Sequence, residues 1–318
     1  MPSIDMPLDQ LRAYKPQLTR QHDFAAFWKQ GLEQVRNQPL GTTFAKRPLP
    51  LREIDVYEVS FTGAGGATIG GEMIVPRGLS GAPGVVVYHG YSGRHDAVYS
   101  LLHWAAMGTV VFTVDTRGQR GNTVDSAAYP GPRSPGFMTA GVCSPYDYYY
   151  RNAYLDCVRA LDVLAERDEV DMSRLAVVGM SQGGGLSLAT AALDERVNLC
   201  LAEVPFLCDF PRAIRITGDW PYSEIINYLR YSDAAEETQI LKTLSYFDNI
   251  NLAGLIRART LISVGLCDSI CPPSGIFGAY NHMACRKEIK VYPHMGHDHN
   301  TEFIEFGMHT MAEQFGMK

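Results

Sequence analysis

The sequence predicts an α/β fold built on a mostly parallel sheet. From residue 83 onward, short apolar runs of strand length alternate with segments of helical pattern. Continuous apolar runs of this kind are typical of parallel strands that are covered by helices on both faces. Ahead of this region, two strand-like segments flank a glycine cluster at residues 63–66 and predict a β-hairpin. We therefore expect an α/β architecture with an antiparallel edge.

The elements can be placed in order along the chain. Residues 1–45 read as an N-terminal arm followed by an amphipathic helix. Strands are expected at residues 54–61, 67–75, 85–88, 110–114, 175–178, 199–202, 261–264 and 288–292. Helices are expected at residues 98–107, 154–166, after 182, at 274–283 and at about 300–315. Two segments interrupt the alternation: a long loop at 116–150 and an aromatic, partly helical insertion at 205–250, which is the kind of segment that walls a ligand site.

Length and composition limit the classes of protein. A chain of 318 residues, of which 46% are hydrophobic and 19% charged, can form a single domain over residues 1–318 with a cap-like insertion. The net charge of -6 and the lack of a Lys/Arg cluster argue against nucleic acid and anionic lipid as partners. The first residues lack the pattern of a signal peptide, and no run reaches the roughly 20 apolar residues that span a bilayer. We expect a cytoplasmic protein without membrane partners.

The most informative stretch is residues 177–185, where an apolar run passes through glycines directly into a helical pattern. This arrangement predicts a nucleophile elbow, in which Ser181 stands on a sharp turn between strand and helix, with Gly179 and Gly183 on either side. The alternative is an ordinary glycine-rich strand-to-helix loop. An elbow would expose the Ser181 hydroxyl and direct the backbone N–H of Gln182 at a developing oxyanion.

A serine nucleophile needs a base, and the base needs a carboxylate that orients it. Asp268 follows the predicted strand at 261–264, although an aspartate there could also be a turn or cap residue. The segment after the last predicted strand offers His294, His297 and His299. We select His297 as the base, because it follows a glycine and precedes a helix, and we interpret the other two as surface residues. Tyr91 lies after the strand at 85–88, where its backbone N–H could complete an oxyanion hole with Gln182, although a plain turn is the alternative.

Metal and cofactor chemistry are not expected. The histidine-rich segment could bind a metal, but the chain has no H-E-x-x-H motif, and the order Ser181, Asp268, His297 already supplies a triad. Cys267 and Cys271 would need two further ligands to form a zinc site, so free thiols are the expectation for the cysteines.

Three motifs resemble those of a known family: Arg117-Gly118-Gln119 looks like an RGQ motif, residues 179–184 look like GxSQGG, and His297 looks like the histidine of a His-Glu motif. With them, the whole chain resembles carbohydrate esterase family 7, the acetyl xylan esterase and cephalosporin C deacetylase group of the α/β-hydrolase superfamily. The family's triad aspartate falls on Asp268 and its oxyanion tyrosine on Tyr91. Asp298 stands where the family has glutamate.

The resemblance implies intracellular, cofactor-independent hydrolysis of acetyl esters on short xylo-oligosaccharides and on cephalosporin C or its relatives. It also implies a hexamer, a trimer of dimers with active sites facing an inner cavity. In this interpretation Ser181 attacks the acetyl group, His297 transfers protons, Asp268 orients His297, and Tyr91 and Gln182 bind the oxyanion.

Arg117, Gln119, Trp220 and Pro221 each allow two interpretations. Arg117 and Gln119 could be substrate ligands, but a structural role beneath the elbow is favoured, because a guanidinium can hold carbonyls and carboxylates in register. Trp220 and Pro221 could line a small acyl pocket with Tyr91, or could only pack the insertion.

Rival functions differ in testable ways. A prolyl oligopeptidase-type peptidase would usually carry a propeller, and a dienelactone-type hydrolase would typically use a cysteine nucleophile. A general short-chain carboxylesterase would accept longer acyl chains. A binding protein on a hydrolase scaffold would not need Ser181, Asp268 and His297 together.

Overall fold

A computed structural model describes residues 4–317, and in that range one sheet of nine strands runs through the molecule. The strands are β1 Thr43–Arg47, β2 Ile54–Thr62, β3 Thr68–Pro76, β4 Ala82–Tyr88, β5 Val110–Val114, β6 Val170–Met180, β7 Val197–Glu203, β8 Arg259–Gly265 and β9 Lys287–Tyr292. Their order across the sheet is β1-β2-β3-β5-β4-β6-β7-β8-β9. The pairings that join β1, β2, β3 and β5 are antiparallel, whereas those from β5 through β4 to β9 are parallel. The predicted α/β class and the hairpin lead-in are confirmed.

Helices cover both faces of this sheet. They are α1 Leu8–Ala13, α2 Phe24–Arg36, α3 Val98–Ala106, α4 Tyr149–Ala165, α5 Gln182–Leu193, α6 Phe210–Ile216, α7 Tyr222–Leu229, α8 Ala234–Leu244, α9 Asn249–Ala253, α10 Pro273–His282 and α11 Thr301–Phe315. A single 3₁₀ turn, Ala64–Gly66, connects β2 to β3. Within residues 4–317, none of the helices combines the length and the apolar character that a membrane span requires.

The alternation of side chains along the strands divides the core between the two faces. Val86 of β4 packs into the larger cluster, with residues of α2, α4, α5 and α10, while Val85 and Val87 pack into the smaller cluster, with residues of α3 and α11. All three valines are buried. Because successive strand residues point to opposite faces, an uninterrupted apolar run is what a strand covered on both sides requires.

The parallel part of the sheet determines where a site can form. Strands β4, β6, β7 and β8 are parallel neighbours or near neighbours, so their carboxyl ends lie along one edge of the sheet. The segment between β5 and α4 contains neither helix nor strand, as expected for 116–150. The insertion at 205–250 is more helical than expected, since it contains α6, α7 and α8.

Three local features differ from the sequence-based expectations. Helix α1 and strand β1 were not predicted, and both are short elements at the periphery. Helix α4 begins at Tyr149 rather than Tyr154, and its first residues Tyr149 and Tyr150, like Tyr148 just before the helix, are fully buried against the core. The hydroxyls of these three consecutive tyrosines make the segment look polar in the sequence, so the buried start of the helix was not predicted.

Helix α2 packs the N-terminal segment onto the body of the protein, and Trp28 is one of its buried side chains. This side chain is 3% exposed, and its indole Nε1 donates a hydrogen bond to the carbonyl oxygen of Tyr246 at 3.1 Å. Its ring stacks on Tyr154 of α4, with 5.7 Å between ring centroids. Burial of a large aromatic side chain is worth several kcal/mol, so this contact contributes strongly to stability.

We expect Trp28→Ala to lower the free energy of unfolding by about 3–5 kcal/mol, because it removes a buried aromatic side chain and a hydrogen bond. Urea denaturation measures the change. Lys29→Ala is the matched control, since the Lys29 side chain is 77% exposed, and it should change stability by less than about 0.5 kcal/mol. Equal effects of the two substitutions would contradict the packing role assigned to α2.

Candidate active site

Ser181 lies on a strained turn between β6 and α5. Its backbone has φ 57° and ψ -119°, and residues other than glycine rarely adopt a positive φ. Its N–H donates to the Glu203 carbonyl at 2.8 Å, and its own carbonyl accepts from the N–H groups of Gly185 at 3.0 Å and Phe206 at 2.9 Å. The surrounding backbone therefore stabilises a conformation that costs about 1–3 kcal/mol by itself.

The two glycines of the motif are required by close backbone contacts. A Cβ at Gly179 would lie 2.4 Å from the carbonyl carbon of Gly183, and a Cβ at Gly183 would lie 1.9 Å from the carbonyl oxygen of Tyr88. No side chain fits at either position without moving the main chain. The spacing of the sequence motif thus reflects the contact between β4, β6 and the start of α5.

Asp268 and His297 are brought together from the ends of β8 and β9. His297 Nδ1 lies 2.8 Å from Asp268 Oδ2, and Asp268 Oδ1 accepts hydrogen bonds from the backbone N–H groups of Ile270 at 2.9 Å and Cys271 at 2.8 Å. Asp268 is fully buried. Because Nδ1 is engaged by the carboxylate, Nε2 is the nitrogen of His297 that can exchange a proton with a reacting group.

Backbone hydrogen bonds join the two loops that carry this pair. The N–H of Cys267 donates to the Met295 carbonyl at 2.9 Å, and the N–H of Leu266 donates to the Tyr292 carbonyl at 3.1 Å. At the end of β8, a Cβ on Gly265 would lie 2.4 Å from the Gly296 carbonyl oxygen. The segment before His297 is therefore fastened to the segment before Asp268.

The side chain of Asp298 stabilises the turn around Gly296 and His297. Its Oδ2 accepts the Gly296 N–H at 3.1 Å, and the residue is exposed. The aspartate that replaces the family's glutamate therefore contacts the backbone beside His297.

One cavity of about 520 Å³ opens at the carboxyl ends of β4, β6 and β7. Ser181, His297 and Tyr91 line it, and so do Trp220 and Pro221 from the insertion. The remaining lining is largely apolar and comes from α3, α11 and the strand ends, with a few polar side chains: His89, Asp96, Ser100, His103, Glu203 and His299. The structure thus brings these sequence-selected residues to one concave surface. Gln182 is fully buried behind this surface, with its backbone N–H at the first position of α5.

The electrostatics of this end of α5 favour a negative charge. The first N–H groups of a helix have no partner within the helix and carry its positive partial charge. The N–H of Gln182 belongs to this set, and Tyr91 stands in the loop after β4, the neighbouring strand. An oxygen held between the N–H groups of Gln182 and Tyr91 would be stabilised as it gained charge.

Tyr91 is held by a residue that the sequence analysis did not single out. Its hydroxyl donates to Glu224 of α7, at 2.9 Å from Oε1, and accepts from the Phe137 N–H at 2.7 Å. Glu224 is buried and also accepts the Met138 N–H at 3.0 Å. Burial raises the pKa of the Glu224 carboxyl. The Tyr91 ring meets Trp220 edge to face, with 4.7 Å between centroids, so α7 and the long loop jointly orient this wall of the cavity.

The glutamine of the RGQ-like motif contacts the elbow directly. Gln119 Nε2 donates to Gln182 Oε1 at 2.9 Å, and the same oxygen accepts from the Tyr150 hydroxyl at 3.0 Å. Gln119 Nε2 also lies 3.0 Å from the Tyr149 hydroxyl, which donates to the Arg117 carbonyl at 2.6 Å. This buried network connects the residue after Ser181 to the loop after β5.

Arg117 holds that loop from below. Its guanidinium is 1% exposed and makes a bidentate pair with Asp156 of α4, with Nε–Oδ2 of 2.7 Å and Nη2–Oδ1 of 2.8 Å. It also donates to the Ala64 carbonyl at 2.9 Å. Burial acts to lower the pKa of Arg117, but the carboxylates of Asp156 and Asp125 more than offset this effect and raise it. Arg117 does not line the cavity at Ser181.

Two residues near Ser181 were not recognised as neighbours from the sequence. The buried Cys271 thiol lies near the Ser181 side chain, and burial raises the pKa of this thiol. His299 was interpreted as a surface residue, and that interpretation was incomplete. Its side chain is 58% exposed, but Nδ1 lies 2.6 Å from the buried Glu203 Oε2. Both contacts join residues from separate strand ends.

A mostly parallel sheet with a serine at a strand-to-helix elbow, followed by an aspartate and a histidine after later strands, defines the α/β-hydrolase class. Within that class, the chain belongs to the acetyl xylan esterase (AXE1) family, whose model matches residues 1–314. The resemblance inferred from the sequence is thereby confirmed.

Relatives of known structure match almost the whole chain. An acetyl xylan esterase from Paenibacillus sp. R4 is 44% identical with a TM-score of 0.95, over 97% of this chain and 99% of that one. Acetyl xylan esterase 1 from Thermoanaerobacterium sp. JW/SL YS485 is 34% identical with a TM-score of 0.94, over 98% of this chain and 99% of that one.

A curated relative is longer. Acetyl esterase Axe7A from Xylanibacter ruminicola is 28% identical over 289 residues, which are 88% of this chain. The chain spans 64% of the length of that relative.

We expect Arg117→Ala to destabilise the protein by about 3–5 kcal/mol, because Asp156 would be left as a buried, unpaired carboxylate. Urea denaturation, together with KM for a soluble ester, measures the effect. Arg120→Ala is the control, since Arg120 is an exposed arginine in the same loop. A change in KM with unaltered unfolding would instead favour a role of Arg117 as a substrate ligand.

Proposed function

We propose that this protein is a serine esterase that removes acetyl groups from small acetylated saccharides, such as xylo-oligosaccharides, through Ser181, His297 and Asp268. The observation that carries the proposal is the hydrogen-bonded Asp268–His297 pair, at 2.8 Å, on the same cavity as the elbow serine. Membership of the acetyl xylan esterase family supports acetyl esters as the substrate class.

In the first step the Ser181 hydroxyl attacks the acetyl carbonyl while His297 Nε2 takes its proton. The carbonyl oxygen becomes an oxyanion, which the backbone N–H groups of Tyr91 and Gln182 stabilise. Asp268 orients His297 and stabilises the imidazolium that forms. The tetrahedral intermediate then collapses: the C–O bond to the saccharide breaks, and His297 gives the proton to the leaving saccharide oxygen, which becomes a hydroxyl. The acetyl group remains on Ser181 as an ester.

In the second step water replaces the saccharide. His297 takes a proton from the water as its oxygen attacks the acetyl-enzyme, and the same two N–H groups stabilise the oxyanion. Collapse breaks the bond to Ser181, releases acetic acid and returns the proton from His297 to the Ser181 oxygen. The reaction balances as ester plus water giving alcohol plus acetic acid, and it calls on no cofactor.

The acyl group is assigned to the wall formed by Tyr91, Trp220 and Pro221. The hydrogen bond of Tyr91 to Glu224 and its edge-to-face contact with Trp220 support a wall of fixed shape there. A fixed wall disfavours longer chains, because each further methylene of the acyl group needs additional room. Trp220 is 51% exposed, which fits a position at the mouth of the cavity.

Arg117, Gly118 and Gln119 receive a structural role in this proposal. The contacts of Arg117 with Asp156 and of Gln119 with Gln182 support it, because both side chains act beneath the elbow. Gly118 has φ 66°, a backbone conformation that glycine adopts without strain.

Finer properties follow from the family resemblance alone and are part of the proposal. They are activity on cephalosporin C-type esters, a cytoplasmic location, and assembly as a hexamer, a trimer of dimers with inward-facing sites. A closed assembly of this kind would restrict the substrate to short saccharides and exclude polymeric xylan.

A general short-chain carboxylesterase is the alternative that one observation favours. A cavity of about 520 Å³ is larger than an acetyl group alone requires, and most of its lining is apolar. Such an enzyme would use the same triad and differ only in acyl preference. A binding protein on this scaffold would differ in having no dependence on Ser181.

We expect the wild type to hydrolyse 4-nitrophenyl acetate faster than the butyrate and octanoate esters, and Ser181→Ala to lose on the order of 10⁴-fold or more in kcat. The physical reasons are the fixed wall of Tyr91, Trp220 and Pro221, which limits the room for longer acyl chains, and the loss of the nucleophile. Release of 4-nitrophenol measures both quantities, and Ser269→Ala is the matched control, because Ser269 is another serine near the site and its hydroxyl contacts Asp219.

The outcomes separate the candidate functions. Equal rates with acetate and octanoate would support the general carboxylesterase. Hydrolysis that persists in Ser181→Ala would contradict the mechanism, and an absence of hydrolysis in both proteins would favour the binding scaffold.

A further inference from the structure

We infer that Glu203 is a positioning residue for the acyl-transfer reaction, in which its buried carboxylate holds the segment that carries His297 beside Ser181. The inference rests on the proposed function. Glu203 is the last residue of β7, and β7 pairs with β6, the strand that leads into the elbow. Its backbone carbonyl accepts the Ser181 N–H at 2.8 Å.

The side chain of Glu203 contacts the segment that follows His297. Its Oε2 lies 2.6 Å from His299 Nδ1, and its Oε1 accepts the backbone N–H of Asn300 at 2.5 Å. The Asn300 side chain in turn caps α11 by accepting from the Glu302 N–H at 2.9 Å. A single residue therefore contacts the nucleophile through its backbone and the segment after His297 through its carboxylate.

These contacts attach the segment to the rest of the protein on both sides of His297. On the amino-terminal side, the Cys267 N–H binds the Met295 carbonyl at 2.9 Å and fixes the segment to the loop of Asp268. On the carboxyl-terminal side, Glu203 binds the next two residues after Asp298. The two attachments therefore fix the segment on both sides of His297, whose ring contacts Asp268 and lines the cavity with Ser181.

Because Glu203 is buried, its hydrogen bonds must offset the free energy that desolvating a carboxylate costs. The residue is 2% exposed, and burying a carboxylate is unfavourable unless hydrogen bonds and opposite charges compensate. Burial raises the pKa of Glu203, while the Asn300 N–H, His299 and His297 act in the opposite direction. In its ionised form Glu203 also stabilises the imidazolium that His297 becomes during the reaction.

Other titratable groups face the same space from neighbouring elements. Asp96 precedes α3 and His103 belongs to α3, and both line the cavity with Glu203 and His299. Tyr292 ends β9 and interacts electrostatically with Glu203. Among these titratable groups, Glu203 and His299 are joined by a hydrogen bond of 2.6 Å.

The test compares Glu203→Gln and His299→Ala with the wild type. Glu203→Gln keeps the size of the side chain and one acceptor oxygen but removes the charge. We expect kcat for 4-nitrophenyl acetate to fall by about 10²-fold, with little change in KM, because a small displacement of a catalytic group has an effect of this size. His299→Ala removes one of the two bonds, so a smaller fall in kcat is expected, and its exposed position allows the variant to fold.

A spectroscopic readout separates positioning from general stability. The proton shared by His297 Nδ1 and Asp268 gives a downfield ¹H NMR signal, which we expect to shift or broaden in Glu203→Gln while urea denaturation still shows a folded protein. Glu302→Gln is the matched control, because it makes the same chemical change in the exposed first turn of α11. It should leave kcat and the signal as in the wild type.

Wild-type kcat and an unchanged signal in both variants would overturn the inference. A fall in kcat accompanied by an unchanged signal would overturn it too, because Glu203 would then not act through the position of His297. Failure of the proposed function would look different, because Ser181→Ala with Glu203 unchanged would then still hydrolyse the ester. The NMR signal reports the position of His297 in either case.

Discussion

The backbone of Ser181, between β6 and α5, has φ 57°, and much of the surrounding structure stabilises this turn. The conformation costs about 1–3 kcal/mol and persists only where the neighbouring structure enforces it. Here the enforcement comes from β7, whose last carbonyl accepts the Ser181 N–H, and from Phe206, whose N–H donates to the Ser181 carbonyl. Gly179 and Gly183 then allow the backbones to approach more closely than any Cβ would permit.

A rigid layer beneath the turn accompanies this geometry. Gln119 contacts the side chain of Gln182, and Arg117 ties the same loop to α4 through Asp156. Because the side chain of Gln182 is hydrogen-bonded on this inner side, its backbone N–H is held at the start of α5. The same interactions that stabilise the fold therefore set the direction of the groups proposed to bind the oxyanion.

The features that the sequence predicted are the local ones. The glycine spacing around Ser181 describes a contact within a few residues, and the apolar runs describe strands that are buried on both faces. Asp268 and His297 could be selected because a strand and its following loop determine where they stand, although three histidines competed for one position. The order of elements was predictable for the same reason.

The supporting contacts were not predictable, because they join positions far apart in the chain. Tyr91 and Glu224 are separated by 133 residues, and Arg117 and Asp156 by 39. A glutamate on an amphipathic helix and an aspartate in α4 carry no local mark of such a partner. The role of Glu203 was hidden similarly, since His299 is 96 residues away and looks like a surface histidine in the sequence. Their identification required the three-dimensional arrangement.

The most direct test of the account is a crystal structure of the protein after reaction with a small organophosphorus ester, which mimics the tetrahedral intermediate. We expect phosphorus bonded to Ser181 Oγ, with the phosphoryl oxygen about 2.7–3.1 Å from the backbone nitrogens of Tyr91 and Gln182. His297 Nε2 should face the adduct while Nδ1 stays on Asp268. An adduct on another residue, or a phosphoryl oxygen directed away from both backbone nitrogens, would contradict the central claim that the elbow at Ser181 is the reactive centre.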